Sequence, residues 1–190
     1  MGAVPVDDLL GVCAVIVGAM TTAGRAATQL QTISWLHRLL TERNIEYWLF
    51  GGWAVDFHAG RVTRDHEDVD VAVWHADLDR ITVLLEAEGW VHAPDLGEDG
   101  YTAYERRNIR LELAFLACDA GGPYTPLAQG RGEWPSGSFA DTQAELDGVR
   151  ARIVGLASLI EDKAGPRDDA AVRAKDRADV AVLTSLPASG

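Results

Sequence analysis

The spacing of apolar residues along the chain predicts five helices. The first covers residues 28–43, where Ile33, Leu36 and Leu40 recur at intervals of three and four and so share one face. Such an amphipathic helix needs a partner for its apolar side, and we expect it to pack on a sheet. The other helices are predicted over residues 53–59, 77–88, 157–163 and 170–186, and a Gly-Pro pair separates the last two.

Alternation of apolar and polar residues predicts the strands. The clearest case is residues 68–74, where valines occupy one face and Asp68 and Asp70 the other. Further strands are predicted over residues 47–50, 90–93, 101–106, 109–116 and 149–154. Residues 119–138 contain five glycines and three prolines without a sustained period, and they predict a long surface loop.

These patterns divide the chain into three parts. We expect residues 1–29 to form an N-terminal extension, helical or poorly ordered, residues 30–155 a core domain, and residues 156–190 C-terminal helices packed on that core. The apolar run over residues 9–20 is about a dozen residues long and follows acidic rather than basic residues. It predicts neither a signal peptide nor a membrane span, and the low cysteine content separately makes a reducing, cytoplasmic compartment the expectation.

Charge and cysteine content exclude several classes of protein. The chain has 190 residues, of which 17 are Lys or Arg and 29 are Asp or Glu, for a net charge of −12. Such a surface repels phosphodiesters, which argues against general nucleic-acid or anionic-membrane binding and mildly favours cationic small partners. The two cysteines, Cys13 and Cys118, lie far apart, so neither a disulfide framework nor a cysteine zinc site is expected.

Three acidic residues form a candidate metal site. Asp68 and Asp70 are two apart on one strand, so their carboxylates point to the same side with Cα atoms roughly 6 to 7 Å apart. Glu112 follows the same alternation on another strand and could add a third oxygen. Oxygen ligands select a hard cation such as Mg²⁺, which commonly completes its coordination with water and substrate phosphates. A solvated acidic face is the alternative interpretation.

Candidate phosphate contacts lie close to these acids in the sequence or on the C-terminal helices. Gly51 and Gly52 come between a predicted strand and a helix, where free backbone N–H groups can bind phosphate oxygens. Arg64 precedes the acids and could orient them or touch phosphate, and Lys163 and Lys175 could bind a triphosphate tail. A structural turn and a solvated face remain the alternatives. The chain contains neither a P-loop motif nor a G-x-S-x-G motif.

Two stretches together resemble the signature of the nucleotidyltransferase superfamily. These are residues 51–56, GGWAVD, and residues 60–70, GRVTRDHEDVD. Within that superfamily they resemble the small enzymes that modify aminoglycosides at the 2''-hydroxyl and those that modify lincosamides. Residues 110–113, RLEL, and residues 173–180, RAKDRADV, are similar to the third-acid strand and to a late helix of this group, so the resemblance runs from about residue 30 to residue 186.

The resemblance implies a fold and a set of site residues. The fold is α+β, a short mixed β-sheet flanked by helices with a small C-terminal helical region. Asp68, Asp70 and Glu112 would bind one or two Mg²⁺ ions and act in catalysis, with Glu112 as ligand or as general base. Gly51 and Gly52 would contact the triphosphate of ATP or another nucleoside triphosphate. Arg64, Lys163 and Lys175 would add phosphate contacts, and a structural contact is the alternative for Lys175.

The implied reaction transfers a nucleoside monophosphate, AMP from ATP in the first instance, to a hydroxyl of a small antibiotic and releases pyrophosphate. The acceptor would be an aminoglycoside or a lincosamide, and the enzyme would be an antibiotic-resistance factor acting as a monomer or a homodimer. The negative charge suits a polycationic aminoglycoside. Two alternatives stay open, a toxin or regulator of the same fold that modifies RNA or protein, and a catalytically inactive module that binds a nucleotide or a drug.

Overall fold

The computed structural model describes residues 22–94 and 99–187. It is an α+β fold in which helices flank a mixed sheet and two further helices end the chain. The helices are α1 (Thr22–Thr41), α2 (Gly51–Ala59), α3 (Leu78–Ala87), α4 (Leu156–Ala164) and α5 (Ala170–Thr184). The strands are β1 (Tyr47–Leu49), β2 (Asp68–Trp74), β3 (Val91–His92), β4 (Tyr101–Arg106), β5 (Ile109–Asp119), β6 (Gly122–Leu127), β7 (Gly130–Glu133), β8 (Gln143–Leu146) and β9 (Val149–Arg152).

The main sheet has the strand order β1-β2-β5-β4-β3, and β6 and β7 continue from the end of β5. β2 and β5 run parallel at the centre, whereas the other neighbouring strands are antiparallel. Their register aligns Asp68 with Arg110 and Asp70 with Glu112. The central strand pair therefore carries acidic residues side by side.

Apolar residues cover both faces of this sheet. One cluster joins α1 and α3 to the strands through residues such as Leu36, Ile81 and Leu111. A second cluster joins α4 and α5 to the other side through Leu159 and Leu183. The C-terminal helices are thus part of the packed core around the strands that carry the acids. Among the described residues, no helix is both long and apolar enough to cross a membrane.

All five predicted helices and all six predicted strands are present, and β2 has the predicted bounds. α1 begins at Thr22, inside the segment expected to be an N-terminal extension, and the first 21 residues of that segment lie outside the described residues. The strand β8 was missed, although Asp147-Gly148 after it is a strong hairpin signal. Both turn residues have positive φ, 50° at Asp147 and 76° at Gly148.

The prediction of a long surface loop over residues 119–138 is wrong. β6 and β7 form a hairpin there that pairs with the end of β5. Only Thr125 is buried in β6, so the hairpin lacks the apolar alternation that identifies a half-buried strand. It is held instead by polar and aromatic contacts, since Trp134 Nε1 donates to Thr125 Oγ1 at 2.9 Å and the Arg131 guanidinium lies 3.9 Å from the centre of the Tyr124 ring.

Candidate active site

The three acidic side chains predicted to share one face do so. One carboxylate oxygen from each of Asp68, Asp70 and Glu112 lies within 4.8 Å of the others, and each residue is half-buried. The parallel register of β2 and β5 produces this cluster, because Asp70 and Glu112 are direct neighbours and Asp68 lies one pleat away on the same face. Glu112 also accepts a hydrogen bond from Arg110, which is two residues earlier on β5.

The electrostatics of the cluster are unfavourable without a cation. Burial raises the pKa of Asp70 well above its usual range, and the neighbouring charges of Asp68 and Glu112 raise it further. The positive charges of Lys163 and Lys175 act in the opposite direction but are outweighed. Three converging carboxylates of this kind form a donor set that suits a hard divalent cation.

The N-terminus of α2 lies directly against this cluster. A Cβ atom at Gly51, which has a φ of +62°, would stand 2.0 Å from Asp70 Oδ2. A Cβ atom at Gly52 would stand 2.4 Å from His66 Nδ1 and 2.5 Å from Arg64 Nη2. The N-cap residue of the helix is Phe50, whose side chain makes no capping hydrogen bond. Both glycines are therefore needed for close approach, and the first backbone N–H groups of α2 receive no bond from the N-cap side chain beside the acids.

A buried histidine holds the segment that leads into β2. The Arg64 guanidinium can only donate, so His66 Nδ1 accepts from Arg64 Nη1 at 3.1 Å and carries no proton. His66 Nε2–H then donates to the buried Asp56 Oδ2 at 2.6 Å. Asp56 also accepts from the backbone N–H of Thr63 at 3.0 Å. The residues of the sequence signature thus tie α2 to the chain just before Asp68.

A cluster of buried and half-buried charges connects this segment to α4 and α5. Arg64 donates two hydrogen bonds to Asp179, at 3.0 and 3.1 Å. Lys163 contacts both Asp176, at 2.8 Å, and Asp179, at 3.0 Å. Arg167 donates to the other oxygen of Asp176 at 2.9 Å. Arg64 and Lys163 are therefore bound to carboxylates of α5.

A cleft of about 160 Å³ brings together most of the predicted site residues. It is lined by Gly51, Gly52, Arg64, Asp68, Asp70, Lys163 and Lys175, together with residues 65–67. Lys175 is exposed and forms no ion pair within the described part of the chain, so its ammonium is available to a ligand. The predicted phosphate roles of Arg64 and Lys163 stay predictions, and both side chains have structural partners.

A larger cavity of about 730 Å³ adjoins the cleft and shares Gly51, Lys163 and Lys175 with it. Aromatic side chains form part of its wall, namely Phe50, Tyr101 and Trp134. Its acidic lining consists of Glu133, Asp162, Asp168, Asp169 and Asp176. The cavity can therefore offer both ring stacking and carboxylates to a bound molecule.

Sequence reasoning missed three features of this site. It assigned no role to Asp56, although that residue lies in the G-G-W-A-V-D stretch and accepts a hydrogen bond from His66. It placed Asp179 on a helix without identifying Arg64 as its partner, and no local pattern could have joined residues 115 positions apart. It also placed Gln29 in the N-terminal extension, whereas its side-chain amide bonds the backbone beside Asp68.

Comparison with known proteins identifies the relatives of this chain. A family model described as aminoglycoside-2''-adenylyltransferase matches residues 32–183. A 2''-aminoglycoside nucleotidyltransferase of Escherichia coli is 45% identical over 42 residues. That alignment covers 20% of this chain and 24% of the relative, so the match spans about a quarter of the curated protein's length.

Two solved structures share the fold. The lincosamide antibiotic adenylyltransferase LnuA in its lincomycin-bound form has a TM-score of 0.65 and 16% identity, covering 84% of this chain and 97% of that one. ANT(2'')-Ia in complex with adenylyl-2''-tobramycin has a TM-score of 0.65 and 23% identity, covering 85% of this chain and 91% of that one. At this level of identity the likeness extends to the fold alone.

Proposed function

Because this chain belongs to the aminoglycoside-2''-adenylyltransferase family, we propose that it transfers a nucleoside monophosphate, AMP from ATP, to a hydroxyl of a small antibiotic. The observation that carries the proposal is the cluster of three carboxylates beside the uncapped N-terminus of α2. Nucleotidyl transfer requires a cation site next to a triphosphate site, and the proposal is supported by a single cleft that Gly51, Gly52, Asp68 and Asp70 all line.

Asp68, Asp70 and Glu112 are the residues that would hold Mg²⁺, as one or two ions. The fit rests on their all-oxygen donor set and their close approach within 4.8 Å, and it agrees with a pKa of Asp70 that is raised by burial and then by the charges of Asp68 and Glu112. Bound there, the metal would neutralise charge that develops on the triphosphate during transfer. Most of the catalysis would then come from positioning and electrostatics.

The protein's own groups have distinct parts in the reaction. The N–H groups at Gly51 and Gly52 bind triphosphate oxygens, and Lys175, which also lines the cleft, adds a positive charge. The acceptor hydroxyl attacks the α-phosphorus and forms a new O–P bond. The bond between the α-phosphorus and the oxygen that bridges to the β-phosphate breaks. Pyrophosphate leaves with the bonding electrons, and Glu112 takes the hydroxyl proton if it acts as the general base.

The acceptor would occupy the 730 Å³ cavity, since this cavity opens beside Gly51 and Lys175. Its carboxylates suit the amino groups of an aminoglycoside, in keeping with the family description and the net charge of −12. Its aromatic wall of Phe50, Tyr101 and Trp134 suits the more apolar surface of a lincosamide. The cationic acceptor is the first choice because it agrees with the family to which the chain belongs and because acidic residues outnumber the basic residues Lys163, Arg167 and Lys175 in the lining.

The test is pyrophosphate release from ATP, GTP, CTP and UTP with Mg²⁺ against a panel of aminoglycosides and lincosamides. Mass spectrometry then locates the adduct on the drug. An AMP adduct on an aminoglycoside hydroxyl is expected. Nucleotide binding without turnover on any drug would overturn the choice of acceptor and favour an RNA or protein substrate instead, and absence of Mg²⁺-dependent nucleotide binding would overturn the enzyme assignment.

A further inference from the structure

Gln29 on α1 is a buried polar residue whose side-chain amide bonds the backbone at the start of β2. The residue is 1% exposed, and its Nε2 donates to two backbone carbonyls, that of His66 at 3.2 Å and that of Asp68 at 3.4 Å. The reverse orientation of the amide would place Oε1 against two carbonyl oxygens, so the donor assignment is secure. The two carbonyls flank Glu67, directly before the carboxylates of the site.

These bonds continue the sheet where its own strand ends. β1 pairs with β2 only as far as Leu49 opposite Val71. One step further, the backbone N–H of Phe50 donates to Asp70 O at 3.0 Å. Alternate carbonyls of a strand point to the same edge, so that of Asp68 follows that of Asp70 along the edge that faces β1, and the carbonyl of His66, just before β2, is bonded by the same amide. The Gln29 amide supplies the donors that a longer β1 would have supplied.

The oxygen end of the same amide contrasts with the nitrogen end. Gln29 Oε1 is buried and has no hydrogen-bond partner within the described part of the chain. A buried carbonyl in that state costs about 1–3 kcal/mol. An apolar residue such as methionine would avoid this cost but would leave the carbonyls of His66 and Asp68 without these donors. The two bonds that the amide donates are the feature that an apolar replacement would remove.

We propose that Gln29 is a positioning residue that fixes the backbone at Asp68 and thereby sets its carboxylate relative to those of Asp70 and Glu112. This inference rests on the proposed function, because it requires that the three acids bind a metal ion. The carboxylate of Asp68 is the one least fixed by the sheet, since Asp68 is the first residue of β2. Without Gln29 the backbone there loses its hydrogen bonds on the β1 side, and the three oxygens lose their common geometry.

The test measures Mn²⁺ binding by electron paramagnetic resonance in the presence of α,β-methylene ATP, for the full chain and for Gln29→Met. Loss of a group that orients a metal ligand typically weakens metal binding about 10- to 100-fold, and a decrease in this range is expected. Gln31→Met is the matched control, because Gln31 lies exposed on the same helix and forms no hydrogen bond in the described part of the structure. Its Mn²⁺ affinity should equal that of the parent.

Melting curves separate a positioning role from a structural one. If Gln29→Met melts at a lower temperature but binds Mn²⁺ like the parent when folded, the inference is overturned. Gln29→Asn, which keeps the amide but shortens its reach by one methylene, should also bind Mn²⁺ more weakly and gives a second reading if the methionine variant is unstable. Absence of Mn²⁺ binding by the parent protein would overturn the proposed function itself.

Discussion

Gly51 lies so close to Asp70 that a Cβ atom at position 51 would stand 2.0 Å from the carboxylate oxygen Oδ2. The N-terminus of α2 and the middle acid of the cluster are thereby packed against each other without a side chain between them. This contact places a helix N-terminus, which attracts anions, next to carboxylates that attract a cation. A metal-bound triphosphate is the kind of ligand that satisfies both.

Gly51→Ala is expected to abolish transfer because the new methyl group must displace Asp70. Gly60→Ala is the matched control, since Gly60 has a similar φ of +66° but nothing lies within 4 Å of its Cβ position. Both variants should lose roughly 1–2 kcal/mol of stability from the left-handed backbone. Chemical denaturation and pyrophosphate release check the pair. Equal activities in the two variants would show that the contact with Asp70 has no role.

Asp68→Asn and Asp70→Asn should each reduce transfer by more than about 100-fold. Changes that only reorient a metal ligand reach about that size, and here a ligand itself is lost. The fold should be kept, and the metal-free protein should melt at the same or a higher temperature because one of the repelling carboxylates is gone. Asp79→Asn, a neutralised exposed acid on α3, controls for net charge. Near-parental activity of either site variant would make the metal-site assignment wrong.

Glu112→Gln should lose transfer and retain nucleotide binding, because Asp68 and Asp70 still provide two carboxylates. That outcome assigns Glu112 as the general base. Isothermal titration with α,β-methylene ATP and Mg²⁺ makes the measurement. If the variant fails to bind nucleotide as well, Glu112 is a metal ligand, and its pairing with Arg110 then serves to orient that ligand.

Asp179→Asn should lower the free energy of unfolding at neutral pH. It should also weaken the fall of that free energy as the pH is lowered into the acid range. Burial alone would raise the pKa of Asp179, but hydrogen bonds and charge from Arg64 and Lys163 outweigh it and hold the pKa below its usual 3.8. A carboxyl of this kind contributes its full stability above the unfolded value and loses it as pH falls through the lower folded value.

The expected loss at neutral pH is about 3–5 kcal/mol, since one partner of a buried ion pair is removed. Urea denaturation from pH 7 to pH 3 measures both effects. Asp141→Asn is the control, because Asp141 is 72% exposed in its pair with Arg152 and should change stability little. An unchanged fall of the free energy of unfolding in the acid range in Asp179→Asn would contradict the assigned role.

Trp134→Ala should raise the KM for the antibiotic roughly tenfold, about 1.4 kcal/mol of lost contact, and leave the KM for ATP unchanged. Trp134 lines the larger cavity and its ring lies 5.3 Å from that of Phe50, centre to centre. Trp134→Phe keeps an aromatic ring there and should largely restore the acceptor KM. A change in the ATP constant alone would place the nucleotide, rather than the drug, in this cavity.

The local sequence pattern was sufficient to predict most helices and strands and part of the candidate site. The period of two over residues 68–74 put Asp68 and Asp70 on one face of a strand, and the structure has that strand with the same bounds. The glycine pair at the start of α2 was likewise visible as a break between two apolar segments. Polar and aromatic contacts hold the hairpin of β6 and β7, and since these leave no period in the sequence, that hairpin was predicted as a loop.

By itself, the sequence determined which face of each strand carries the acids, because side-chain alternation is a local property of the backbone. Only the tertiary structure decided which strands are neighbours, and its parallel register brings Glu112 beside Asp70. It also decided two side-chain contacts, that of Gln29 with the carbonyl of Asp68 and that of Arg64 with Asp179. These contacts join residues far apart in the chain, and their positions are fixed by the packing of α1, α4 and α5 around the sheet rather than by any local pattern.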